Sequence, residues 1–235
     1  MRFPNAFKGV SKMFTAEILK LIAAGLLIAF GIAGLASSAG AIELAVEGVP
    51  VTEGMIEDNV NAGGLLVAVI LGVGAMILYI IAYIMNLVGM HQAGKDEDNF
   101  RNAFGVSIAV LIISIGTAVL TALNIGGNVP ENIASTARTI CEVIVMLLVV
   151  SGIMNLAEMC KDERMVKFGK TVSVLVLIFV IGAAVATFIS IFFGRLEWAQ
   201  HVEGILDIIS GIALFIGYII YIIYLGKAKK MLREN

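Results

Sequence analysis

The sequence predicts an all-α integral membrane protein of six transmembrane helices, arranged as three tandem antiparallel hairpin repeats with a pseudo-threefold relation and both termini cytoplasmic. Three observations predict it. Apolar residues make up 60% of the 235 residues and charged residues 14%, with a mean hydropathy of +0.99, whereas a soluble domain is roughly half apolar and a quarter charged. The quartet Ile84-Met85-Asn86-Leu87 returns as Ile153-Met154-Asn155-Leu156 and, loosened, as Ile222-Ile223-Tyr224-Leu225, at an interval of 69 residues both times. A fixed interval of this kind marks one structural unit used repeatedly. Finally, 14 of the 16 Lys and Arg residues gather on one side of this topology, Lys20 at the near end of the first span among them, and only Arg138 and Arg195 on the other, and basic loops face the cytoplasm.

At the N-terminus Phe3, Phe7, Val10 and Phe14 recur at helical spacing while Arg2, Lys8 and Lys12 take the other face. That pattern predicts an interfacial amphipathic helix over residues 1–14, lying on anionic lipid. The first span runs from Ile18 to Ala36. Its basic start and the following Ala39-Gly40-Ala41 imitate a signal peptide, but the apolar run exceeds the roughly 7–15 residues of such segments and serves as the first member of the repeat, so it is expected to remain. Residues Ser37 to Asn61 form the longest connection, acidic through Glu43, Glu47, Glu53 and Glu57 and divided by Pro50.

The second span, Gly64 to Met90, is rich in glycine. Small residues let helix backbones approach closely in lipid, so Gly72 and Gly74 are expected at a contact with a neighbouring helix. The turn that follows carries Lys95-Asp96-Glu97-Asp98 and is echoed by Lys161-Asp162-Glu163-Arg164. Both tracts are too short and too mixed in charge for a calcium loop and are expected to be solvated turns. Phe104 to Leu123, Thr139 to Leu156, Val172 to Phe193 and Ile205 to Leu225 supply the remaining spans, each close to the ~20 residues that cross a hydrocarbon core as a helix. No proline lies inside a span, so proline kinks are not expected. An aromatic beside a positive charge introduces each odd span, at Lys12-Met13-Phe14, Arg101 to Phe104 and Lys167-Phe168. There the cation can reach headgroups while the ring seats in the interface.

The chain is thus read as one transmembrane domain, 1–235, with repeat units of approximately 13–95, 96–164 and 165–230. Asn86, Asn155 and Tyr224 occupy one register position near the cytoplasmic end of each returning helix. They are expected to bond neighbouring backbone carbonyls and hold the hairpins together. A second polar group, Arg138, Glu142 and Asp207, lies in the first turns of the fourth and sixth spans. Charges at that depth usually pair, so Arg138 is expected to bond Glu142 or Asp207, the alternative being a proton or ion site.

No Ser/His/Asp or two-carboxylate arrangement at one depth points to an enzyme. His91 and His201 fall on opposite sides of the membrane, and Cys141 and Cys160 form no extracellular set, so neither a metal site, a cofactor site nor a disulfide framework is expected. The basic residues follow topology and give no sign of nucleic-acid binding. The expected function is a structural or assembly component of a membrane, most readily a prokaryotic cytoplasmic membrane. It would touch membrane lipids and associate with itself or with other membrane subunits. The alternative is a channel or transporter for a small or apolar solute, lined by hydroxyls such as Ser107, Ser114, Thr117 and Thr121.

Overall fold

The computed structural model describes residues 2–37, 62–123, 129–193 and 197–235. Side chains are described within these segments except at 37, 62, 120, 122, 129–136, 139, 179–193, 197–210, 213 and 214. Among the described residues the chain is helical apart from short turns and ends, in six helices: α1 (Pro4–Ser37), α2 (Ala62–Ala93), α3 (Asp98–Ala122), α4 (Val129–Met159), α5 (Glu163–Phe193) and α6 (Glu197–Glu234). Five of the expected spans lie inside one of them, and the third, Phe104 to Leu123, runs one residue past the end of α3 to its C-cap. Four stretches are long and apolar enough to cross a membrane: Pro4–Ala36, Gly63–Ala93, Asp98–Val119 and Ile140–Met159. The fifth expected span runs largely, and the sixth in part, through residues whose side chains are outside those described. The acidic connection 38–61 is also outside them.

The chain divides into two compact units, one formed by 1–14 with 87–235 and the other by 15–86. In the larger unit α4 packs against α3, α5 and α6, and α5 packs against α6. Its core is drawn from the starts of α1, α3 and α5 and the ends of α2, α4 and α6. Val10, Met13, Phe100, Ile153, Leu156, Tyr224 and Leu225 are all fully buried. These are the ends that carry the basic segments. The backbone of Arg2 donates to the Asn235 carbonyl at 2.8 Å, so the two ends of the chain lie side by side.

The N-terminal segment is helical, as its periodicity predicts, and forms the first turns of α1. Ala6, Val10 and Met13 are buried, whereas Phe3, Phe7 and Phe14 are only partly covered. These phenylalanines pack against the same core, and Gly9 allows a close approach to α2. A Cβ on Gly9 would meet the Gly89 carbonyl oxygen at 2.4 Å and the Ala93 nitrogen at 2.6 Å.

The two described turns are built by different devices. After α2, Gly94 passes so near α3 that a Cβ there would lie 3.0 Å from the Arg101 backbone. Glu97 then caps α3, its extended backbone turning the chain while its carboxylate accepts the Asn99 N–H at 2.7 Å. Such caps satisfy one of the orphan donors of a helix start. After α4, Asp162 N–H reaches the Ala157 carbonyl and Lys161 N–H the Glu158 carbonyl. Between them Lys161 adopts a φ of 58°, the left-handed position that glycine usually takes in this ending. Asp162 also accepts the Met165 N–H at 3.0 Å, so one residue closes α4 and opens α5.

Candidate functional site

The three register residues all engage in hydrogen bonds between helices, with different partners. In the smaller unit, Asn86 Nδ2 on α2 donates to Glu17 Oε1 on α1 at 2.9 Å, and Lys20 Nζ reaches the same oxygen at 2.8 Å. Glu17 and Lys20 share a face because residues three apart on a helix are neighbours. The Glu17 side chain is 5% exposed and that of Lys20 22%. In the larger unit, Asn155 Nδ2 donates to Glu97 Oε1 at 2.7 Å, and Asn99 Nδ2 reaches Ser151 Oγ at 3.3 Å. Tyr224 OH donates to the Val150 carbonyl at 3.3 Å, its ring edge-on to Phe168 with centroids 5.4 Å apart.

Only the tyrosine therefore takes a backbone carbonyl. The two asparagines take carboxylates, for which the reason is electrostatic. Helix carbonyls already accept bonds along their own helix, while an ionised oxygen accepts roughly twice as strongly as a neutral one. Glu17 is hard to see in the sequence. It stands at the edge of an apolar run beside Lys20 and resembles one more polar residue of the basic end. Among the described residues it and Ser107 are the buried polar side chains.

The acidic tract after α2 is more than a solvated turn. Asp96 accepts from Asn5 Nδ2 at 2.9 Å and from the Ala6 N–H at 2.8 Å, capping α1 from across the bundle. Glu97 caps α3 and holds Asn155. Asp98 alone fits the expectation, pairing with Arg101 at the surface at 2.9 Å.

Of the two glycines expected at a helix contact, Gly72 lies against the Phe30 ring, which a Cβ would meet at 3.3 Å, while a Cβ on Gly74 would meet nothing within 4 Å. The tightest approaches fall elsewhere, at Gly9 with Gly89 and at Gly169, where Met154 and the Tyr224 hydroxyl would both be struck. The sequence signal for Gly89 is its spacing from Ala93, two small residues one turn apart.

Arg138 and Glu142 lie one turn apart on α4 with exposed side chains. Among the described residues, ion pairs join Glu17 to Lys20, Asp98 to Arg101 and Lys230 to Glu234. Asp207 is on α6, and its side chain lies outside those described.

Among the described residues no three His, Cys, Asp or Glu side chains converge as metal ligands. Cys160 sits in the turn after α4, where burial pushes its thiol up, partly opposed by the Arg2 guanidinium and assisted by Asp162. Such a thiol is a poor nucleophile near neutral pH. Thr117 Oγ1 donates to the Ile113 carbonyl of its own helix at 2.7 Å, a local bond that needs no solute path.

Two clefts with charged residues in their walls open at the basic end of the larger unit. One, of about 380 Å³, is lined by His91, Lys95, Asp98, Arg101 and Phe104. The other, of about 370 Å³, is lined by Arg164, Phe168, Lys227 and Lys230 with Met165 and Met231. No family of known proteins, no curated protein and no solved structure matches this chain.

Proposed function

We propose that the chain is a multi-pass protein of a prokaryotic cytoplasmic membrane that acts as a structural or assembly component, oligomeric or joined to other membrane subunits. One observation carries this reading. The polar side chains between helices mostly tie one helix to another, while large apolar side chains such as Ile28, Leu35, Met76 and Ile112 stand outward at above 60% exposure. Outward apolar surface on this scale suits lipid and neighbouring membrane helices. The adjacency of Arg2 and Asn235 supports both termini on one side, and the basic residues around them favour the cytoplasm. Purification in native lipid followed by mass determination tests the proposal. The expected result is a multiple of the chain mass or a stoichiometric partner; a lone chain without partners would overturn it.

Glu17 favours a second reading, a channel or transporter for a small or apolar solute. Ionisable side chains buried inside membrane helices commonly mark ion or solute pathways. Solute flux in proteoliposomes that disappears in Glu17→Gln, with the melting temperature unchanged, would establish it in place of the first.

A further inference from the structure

We infer that the cleft between the start of α5 and the end of α6 binds one anionic phospholipid, its phosphate on Arg164 and Lys227 and an acyl chain along the faces below. This needs only that the chain sits in a membrane, and stands whether the protein assembles or transports. Charge is the first ground. Of the acids at the cleft, Asp162 accepts the Met165 N–H at the start of α5, and Glu234 lies 3.9 Å from Lys230. Arg164 and Lys227 are left as exposed cations toward an incoming ligand. Arginine presents a planar fork of donors that matches phosphate. Lys227 is held in place, its Nζ 4.6 Å from the centroid of the Phe168 ring, where cation–π attraction fixes it.

The second ground is the change of chemistry along the helices. On α6 the face bearing Lys230 and Lys227 continues at helical spacing to Ile223 and Ile216, both about half exposed. On α5 the face bearing Arg164 and Phe168 continues to Ile178, 56% exposed. From Lys227 to Ile216 is about 16 Å of helix, close to half of a ~30 Å hydrocarbon core. A cationic head end followed by an apolar stripe of one leaflet's depth matches a phospholipid and gives free phosphate nothing beyond the head end. The cleft at the α2–α3 turn repeats the combination of cations and a phenylalanine. There Arg101 is paired with Asp98 and His91 rests against Phe104, with centroids 5.3 Å apart, so that cleft offers the weaker site.

The full chain would be placed in nanodiscs of phosphatidylcholine mixed with phosphatidylglycerol, and the lipid retained on release counted by native mass spectrometry. Phosphatidylglycerol should be retained over phosphatidylcholine and raise the melting temperature. Retention should fall about fivefold for each cation removed in Arg164→Gln and Lys227→Gln, and Lys227→Arg should restore it. Equal retention of the two lipids by the unaltered chain would overturn the assignment, a comparison that needs no variant to fold. So would undiminished retention in the double variant. Inorganic phosphate that alone reproduces the thermal shift would replace the lipid with a free anion, and an acidic protein retained in place of lipid would reassign the cleft to a partner.

Discussion

Asn86 and Asn155 stand 69 residues apart in matching quartets, yet their hydrogen bonds have different environments. Asn86 helps satisfy a carboxylate that is almost fully buried, whereas Asn155 bonds Glu97 at an exposed position. Removing a donor from a buried charge costs more than removing one that water can replace. Asn86→Ala should therefore lower the unfolding free energy by about 2 kcal/mol, and Asn155→Ala by about 0.5 kcal/mol, measured by denaturant titration in mild detergent. Equal losses would mean that the burial of Glu17 has no energetic weight. That these asparagines hold helices is legible from their place at the end of an apolar run. Their partners are not, because Glu17 and Glu97 are far from them in sequence and reach them only by helix packing.

At the scale of helices, the contact between α1 and α2 turns on residues without bulk. The two atoms nearest a Cβ on Gly9 belong to the backbone of Gly89 and Ala93, and the third is the Ala93 Cβ; none can swing aside as a flexible side chain would. Gly9→Ala should lower stability by about 2 kcal/mol through overpacking. Gly74→Ala, with open space around the new methyl, should be neutral or stabilising by up to ~1 kcal/mol from helix propensity. Melting temperatures of the two variants compared with the unaltered chain decide the matter, and a reversed order would refute the packing. Hydropathy marks out all six helices well, since each expected span falls within one to the nearest residue. It gives poor guidance at their basic ends. There α1 begins well before its apolar run, and in the 1–14 segment Ala6, Val10 and Met13 are buried while Phe3, Phe7 and Phe14 are partly covered against the same core. Cover by protein cannot be told from cover by lipid in an amphipathic pattern alone.

For the molecule as a whole, the paired chain ends and the basic segments around them lead to a topological expectation. Tags at Met1 and Asn235 should be accessible from the same side of sealed vesicles, the cytoplasmic one. Accessibility from opposite sides would contradict both the charge pattern and the Arg2–Asn235 hydrogen bond.

Composition and periodicity by themselves determined that this chain is helical, where its long apolar stretches lie and at which ends its cations gather. These are local properties, written in the order of residues along each helix. Only the tertiary structure decided that Asp96 caps a helix some 90 residues away, that Gly9 rather than Gly74 is the close approach, and that Arg164, Phe168 and Lys227 line one cleft. Such features depend on which faces meet and how nearly, and helices that are apolar nearly all round leave that choice to small residues and a few polar bonds.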